Sequence, residues 1–216
     1  MCGSAAAQST AETTQTGMNH SATQEQTIVD RFDGPVQLNA SIHQQTGGHA
    51  AIQIQTFDAS GVQAALDAET RQQGTMNVAS QTQTFSGSLT LSDIGAVITQ
   101  SGSQNDATQM QSNAVDLNEA TLSASITQSG SNNVASQLQN VQADQVQIGG
   151  VSVSASVFQE GTENQSFQTQ MGHDLNSIVE QIGTMNMSTV TQTGSGHAAV
   201  VTQHGSNNTA TITQGN

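Results

Sequence analysis

Histidines and carboxylates are the residues of this sequence whose types could hold a metal ion or move a proton. The chain contains sixteen acidic residues and six His, namely His20, His43, His49, His173, His197 and His204. Their spacing matches no HxxxH or CxxC pattern and no nucleophile elbow, and it supports no Ser/His/Asp arrangement. His20 and His49 fall in a repeated position that is otherwise Asn, and His197 falls in a repeated position that we expect to face inward. We therefore predict structural histidines, no catalytic residues, no metal site, no cofactor and no enzyme.

The chemistry that does recur is hydrogen bonding by primary amides. Eight copies of one frame begin at a Gln, in steps of 29, 28, 28, 28, 31, 22 and 22 residues. This first Gln column is Gln15, Gln44, Gln72, Gln100, Gln128, Gln159, Gln181 and Gln203. Eleven residues later lies the second Gln column, which is Gln26, Gln55, Gln83, Gln111, Gln139, Gln170, Gln192 and Gln214. Five residues after each first Gln lies the Asn column, with His20 and His49 followed by Asn77, Asn105, Asn133, Asn164, Asn186 and Asn208.

Other residue types keep the same phase. Ala or Ser recurs four residues before and seven residues after the first Gln, and Ile, Val or Thr recurs two residues before it. Gly lies two residues after it in seven copies, at Gly17, Gly74, Gly102, Gly130, Gly161, Gly183 and Gly205, while the remaining copy has Thr46 followed by Gly47 and Gly48. The marked positions alternate, which indicates strands with one inward face, and an early Gly suits a tight turn with positive φ.

Each copy therefore predicts a strand, a turn and a second strand. One hairpin cannot bury its own face, but stacked copies can, so the repeat predicts an all-β solenoid whose rungs stack in parallel to form two facing sheets. Stacking places equivalent residues about 4.8 Å apart, which lets each amide bond to the next one in an amyloid-like ladder. We expect one domain of eight repeats over residues 9–216 and a flexible tail over residues 1–8.

The early copies contain longer connections between rungs. Examples are TFDASGVQAA, from Thr56 to Ala65, and TFSGSLTLSD, from Thr84 to Asp93. They form either an extra short strand or a protruding loop, and the sequence leaves both open. The last three copies lack them.

Charge and hydropathy exclude several classes of protein. The formal net charge is -14 with only two basic residues, so we expect no nucleic-acid binding, because phosphates repel such a surface. No apolar run is long enough to span a membrane, so we expect no transmembrane segment. The first residues form no basic, apolar leader, and we expect that a leader is absent or has been removed. The single Cys, Cys2, is either an idle thiol or the lipid acceptor of a processed lipoprotein.

The columns that contain Gln128, Gly130, Asn133, Ala135 and Gln139 resemble the curlin repeat of bacterial curli, S-x5-Q-x4-N-x5-Q. The two 22-residue steps match its length, and the resemblance covers about residues 9–216. This chain departs from the family pattern at the leading Ser, which is present only as Ser9, and in having no Tyr. The resemblance implies a curlin-like β-solenoid that is secreted and polymerises into functional amyloid fibres at the cell surface, in the biofilm matrix, with roles in adhesion and aggregation. The partners it implies are further copies of the chain, other curlin subunits, a nucleator and an outer-membrane secretion pore.

Two other interpretations compete with a fibre subunit. Composition alone, rich in Gln, Ser, Thr, Asn, Ala and Gly, favours a disordered tract, but random sequence does not hold one register over eight copies. A secreted solenoid that stays monomeric could instead act as an adhesin or bind ice. The outward column before each first Gln, from Thr14, His43 and Arg71 onwards, is too mixed for a regular ice-binding Thr array.

Overall fold

Strands and the corners between them make up the described part of this computed structural model, which covers residues 7–29, 36–59, 64–87, 92–113, 120–141 and 150–216. Cys2 and residues 1–6 of the expected tail lie outside it. Ala7 and Gln8, which we also expected in the tail, belong to the first strand.

In the described residues, sixteen strands alternate between two sheets. The first sheet contains the odd strands, which are β1 (Ala7–Met18), β3 (Val36–Gly47), β5 (Ala64–Thr75), β7 (Ser92–Ser103), β9 (Ala120–Ser131), β11 (Val151–Thr162), β13 (Leu175–Thr184) and β15 (Ala198–Ser206). The second sheet contains the even strands, which are β2 (Ser21–Ile28), β4 (Ala50–Ala59), β6 (Val78–Gly87), β8 (Asp106–Asn113), β10 (Val134–Val141), β12 (Gln165–His173), β14 (Met187–Ser195) and β16 (Thr209–Gly215). Each strand pairs with its neighbours in chain order within its own sheet.

All strand pairs are parallel, and their register follows the repeat. Gln128 lies beside Gln100 and Gln159, and Gln139 lies beside Gln111 and Gln170. One odd strand and the even strand after it form one rung, so eight rungs stack into a solenoid. The predicted all-β solenoid with two facing parallel sheets is confirmed.

Two apolar clusters fill the space between the sheets. One includes Ile98, Ile126, Ala107 and Ala135 and lies near the Gly-containing corners. The other includes Leu66, Leu122 and Ile94 and lies towards the opposite corners. Between them the first sheet presents the Ala column, including Ala68 and Ala96, whose small side chains leave room for Gln side chains from the facing sheet.

The long connections are shorter than the sequence suggested. Thr56–Ala59 continues β4 and Thr84–Gly87 continues β6, which places Phe57 and Phe85 inside the second apolar cluster. The next strands begin at Ala64 and Ser92, so residues 60–63 and 88–91 of these connections lie outside the described residues. The early rungs are therefore wider and have an additional buried core.

The Gly-containing corners combine two residues with positive φ. Gly102 has a φ of 107°, and a Cβ atom there would lie 2.0 Å from the carbonyl oxygen of Gly130 in the next rung. Gln104, two residues later, is left-handed with a φ of 55° although it is not glycine. The same left-handed conformation recurs at Met76, Glu163 and Met185, and at the equivalent Asn19, Asn132 and Asn207, whose residue type favours it.

Candidate functional site: amide ladders and end rungs

The first Gln column forms a continuous hydrogen-bonded ladder. Each Nε2 donates to the Oε1 of the next rung, from Gln15 to Gln203, at 2.8–2.9 Å. The second N–H of each inner amide reaches a backbone carbonyl of the facing sheet, as from Gln128 to Asp106 at 3.0 Å. A buried amide without such partners would cost about 1–3 kcal/mol, so the ladder makes its burial possible.

The second Gln column forms an equivalent ladder with the same direction. Donor-to-acceptor distances along it, from Gln26 to Gln214, are 2.8–3.1 Å. Inner members such as Gln139 also donate to the opposite sheet, in this case to the Ser123 carbonyl at 2.9 Å. The columns thus join rungs along the stack and the two sheets across it.

A third ladder was missed by the sequence analysis. Nine residues after the first Gln, the amides of Gln24, Gln53, Gln81, Gln109, Gln137 and Gln168 donate in turn at 2.8–3.0 Å. The ladder ends where Gln168 donates to the Ser177 hydroxyl at 2.9 Å, and Val190 and Ile212 continue the column. The signal was present, because six of eight copies have Gln there, but the apolar final copies obscured it.

The Asn column stabilises the Gly-containing corner. Oδ1 of Asn105 accepts hydrogen bonds from the backbone N–H and the Nδ2 of Asn133, each at 3.1 Å. Nδ2 of Asn105 donates to the Ser101 carbonyl and to the Gly130 carbonyl, also at 3.1 Å. The pattern continues to Asn208, which lies in the last rung and bonds to the His204 carbonyl of its own strand and to Asn186 of the preceding rung.

His49 takes the part of Asn in the second rung. Its Nε2 donates to the Gln45 carbonyl at 2.8 Å, while its Nδ1 accepts the backbone N–H of Asn77 at 3.2 Å. These partners require the neutral ring with the proton on Nε2. Burial lowers the pKa of His49, and the neighbouring His20 lowers it further. The hydrogen bond to Gln45 acts in the opposite direction but does not outweigh the effect of burial.

His197 lies in the last rung, at the corner between β14 and β15, in the inward column that contains the buried Leu175 in the rung before. Its Nε2 donates to the Thr193 carbonyl at 3.1 Å. In the short rungs this opposite corner copies the first one, with a positive φ at Gly172 and Gly194. These two turn glycines were not predicted, although each follows a second Gln at the same distance as Gly follows the first Gln in the other corner.

The two ends of the stack leave their ladders open. In the described part of the chain, β1 and β2 have a neighbouring strand on one side only, and so do β15 and β16. In the end rung Gln15 is exposed, whereas Gln44 above it is 0% exposed. Inward residues of the first rung, such as Ala11, are likewise exposed only because no rung covers them.

Within the described residues, no three His, Cys, Asp or Glu side chains lie close enough together to hold a metal ion. The same residues contain no helix of the length and apolar character that crossing a membrane requires.

Comparison with known proteins identifies one family. Residues 184–215 match the family model of the curlin associated repeat, and this stretch includes β14, β15 and β16. No curated protein matches the chain significantly. The chain therefore carries a curlin associated repeat, which confirms the family resemblance at its C-terminal rungs.

Proposed function

We propose that this protein is a structural subunit, not an enzyme, that assembles end to end into extracellular, curli-like amyloid fibres. In this role it serves as a major or nucleating subunit in a biofilm matrix and contributes to adhesion and aggregation. Its partners are further copies of itself, other curlin subunits, a nucleator and an outer-membrane secretion pore. The curlin associated repeat and the solenoid fold support this class of function.

Complementary end rungs are the observation that carries the proposal. At the last rung, Gln203 donates one N–H to the Met187 carbonyl and has a second N–H to offer. At the first rung, Gln15 has donated to Gln44, and its Oε1 faces the open end. A second copy stacked in the same direction would join the Gln203 Nε2 to the Gln15 Oε1 and continue the ladder.

The opposite orientation lacks this match. Two first rungs placed face to face would oppose amide oxygens, and two last rungs would oppose amide hydrogens. A head-to-tail contact is heterologous and does not close, so it produces a filament and not a dimer. The unpaired backbone groups of the end strands favour the same addition, because a parallel strand can continue each sheet.

Electron microscopy of the purified full chain tests the proposal when the joint, the contact between the last rung of one copy and the first rung of the next, is altered by substitution. Ala11→Asp places a carboxylate at an inward position that is exposed in the monomer but would be covered in a filament. Burying an unpaired charge costs several kcal/mol, so we expect this variant to fold but to form few filaments.

Thr10→Asp is the matched control. Thr10 is the outward neighbour of Ala11 and is also exposed, and the change in charge is the same. We expect filaments of the control at a rate within about twofold of the unaltered chain, since an exposed substitution changes stability little. Equal filament formation by both variants would show that the first rung is not a joint.

The monomeric alternative has one observation in its favour. Thr189 and Thr191 lie on the outer face of β14, in register with Thr211 and Thr213 of β16. Further along this face the columns contain Met110 and Phe167, so the regular hydroxyl array is short. Persistent monomers that produce thermal hysteresis would favour ice binding over the fibre.

A further inference from the structure

The first two rungs differ from the other six by a stacked pair of imidazoles. His20 and His49 have ring centroids 5.2 Å apart and an interplanar angle of 14°. They occupy the column that is Asn from Asn77 to Asn208, so they are part of the corner ladder that would join one copy to the next.

His49 is bound in a way that only the neutral ring permits. Its Nδ1 lone pair accepts the Asn77 backbone N–H, and its Nε2–H donates to the Gln45 carbonyl. A proton on Nδ1 would turn this acceptor into a donor that faces another donor. The Asn77 N–H would then be buried without its partner, since Asn77 is 0% exposed.

His20 is the outer member of the pair and lies in the end rung. Its Nε2 donates to the Thr16 carbonyl at 3.2 Å, whereas its Nδ1 is buried and has no hydrogen-bond partner in the described structure. By the pattern of the other corners, its backbone N–H is the group that Asn208 Oδ1 of a stacked copy would accept. Protonation of both stacked rings would also place two positive charges against each other.

We propose that the His20–His49 pair makes the first rung, and with it the joint between copies, sensitive to acid. This inference rests on the proposed end-to-end assembly and adds its regulation. Above the ordinary histidine range the His49 ring is neutral and the corner is intact. As the pH falls through 6.5, the unfolded corner binds protons first, the folded corner is weakened, and its ability to receive another copy is lost.

Other charged groups on the surrounding strands face away from the pair. In the described parts of β1 to β6 these groups are Glu12, Glu25, His43, Asp58, Asp67, Glu69 and Arg71. All occupy outward positions of the two sheets by strand alternation, and Arg71 forms an ion pair with Glu69. His49, stacked on His20, is therefore the group whose titration acts on the corner.

Seeded elongation of the full chain at pH 7.5 and pH 5.5 tests the inference. The variant His20→Asn with His49→Asn restores the residue found in the other six rungs, so it keeps the corner bonds without a titrating group. We expect acid to slow elongation about tenfold for the unaltered chain and less than about twofold for the Asn variant, because tenfold corresponds to about 1.4 kcal/mol. The control His43→Asn with His204→Asn removes two other histidines and should remain acid-sensitive.

A second readout separates this inference from filament formation. Hydrogen exchange at the Asn77 amide in the monomer should accelerate about tenfold more than that at the Asn133 amide when the pH falls, after correction for intrinsic exchange rates. The inference would be overturned if acid slowed elongation equally in the Asn variant, or if the Asn77 amide stayed protected from exchange at pH 5.5. If the chain forms no filaments at any pH but hydrogen exchange at the Asn77 amide accelerates in acid, only the proposed assembly would be overturned.

Discussion

At the scale of single residues, the fold depends on side chains that are polar and yet buried. Gln128 and Gln139 are 1% and 0% exposed, and each links its own rung to the rung before it and the rung after it. Such amides specify register, because a shift of one residue would move every amide to the opposite face of its sheet. The ladders thus select one stacking arrangement as well as stabilising it.

Replacing these two amides tests that role. Gln128→Leu with Gln139→Leu keeps side-chain size but leaves two amides without acceptors and two without donors. The acceptors are lost at Gln100 and Gln111, and the donors at Gln159 and Gln170. We expect the free energy of unfolding to fall by about 1–3 kcal/mol for each stranded buried group, measured by urea denaturation. Assembly, followed by thioflavin fluorescence, should slow as well.

The control for this prediction uses outward neighbours in the same strands. Thr127→Ser with Leu138→Met should change stability by less than about 0.5 kcal/mol, since both side chains face away from the other sheet. A control that is as damaging as the Gln variant would contradict the assignment of the two faces.

Sequence periodicity predicted the inward columns, since a fixed phase over eight copies requires a common environment. It did not predict the left-handed backbone at Met76, Gln104 or Glu163, because these residue types do not favour positive φ. The corner imposes that conformation through bonds between rungs, such as the one from the Gln104 N–H to the Thr75 carbonyl at 3.0 Å. At these three residues the constraint leaves no local signal, and only the Asn at the equivalent positions 19, 132 and 207 is of a type that favours positive φ.

At the scale of elements, the corners decide how closely successive rungs can approach. The Gly-containing turns lie directly on one another, and each one below the last rung lacks the space for a Cβ atom because of the carbonyl above it, whereas Gly205 in the last rung has that space. This requirement applies to the Gly column but not to every Gly in the chain. Gly95, on the outer face of β7, would meet nothing within 4 Å if it gained a Cβ atom.

These two classes of Gly give a matched pair of substitutions. Gly102→Ala combines a positive φ with the collision against Gly130, so we expect it to destabilise the protein by about 1–3 kcal/mol. Gly95→Ala should be neutral or stabilise by up to about 1 kcal/mol, because Ala restricts the unfolded chain. Urea midpoints of the two variants provide the measurement, and a harmless Gly102→Ala would contradict the tight stacking of corners.

The wider early rungs allow a second comparison. Phe85 is 0% exposed within the apolar cluster beside the long connections, whereas Phe167 is 39% exposed on the outer face of the second sheet. We expect Phe85→Ala to cost about 3–5 kcal/mol through the cavity it leaves. Phe167→Ala should cost much less, and equal losses in thermal stability would show that this cluster is not a core.

The sequence left the long connections undecided for a physical reason. A residue such as Phe57 or Phe85 after a polar strand is compatible with a loop, with a new strand or with continuation of the old one. Burial against Leu66 and Ile94 on the facing sheet selects continuation, and that contact depends on the stacking of several rungs. Strand alternation within one copy cannot reveal it.

At the scale of the whole molecule, charge opposes the contact that the open ends favour. The formal net charge is -14, yet residues 181–216 contain no Asp, Glu, Lys or Arg. Acidic side chains such as Glu12, Asp67, Glu69 and Glu160 lie instead at outward positions of the first sheet. Copies therefore repel one another at a distance although their end rungs match.

Salt should reveal this balance. Raising NaCl from about 10 to 150 mM shortens the screening length from about 30 to 8 Å, so we expect a shorter lag before filaments form. Sucrose at matched osmolality serves as the uncharged control and should not reproduce the salt effect. A lag that lengthens with salt would indicate that attraction between charges, and not repulsion, governs the encounter.

One consequence of the ladders concerns the electric character of the particle. In the three Gln ladders each Nε2 donates towards the last rung, so these amide dipoles point the same way, and they outnumber the Asn amides, which donate to the preceding rung. Backbone dipoles in a parallel sheet largely cancel, whereas these add along the axis, as peptide dipoles do in an α-helix. The solenoid thus has a net dipole moment along its axis, with opposite partial charges at its two ends. Head-to-tail addition would lengthen that rod without reversing its polarity, so both tips of a fibre would remain electrically distinct at any length.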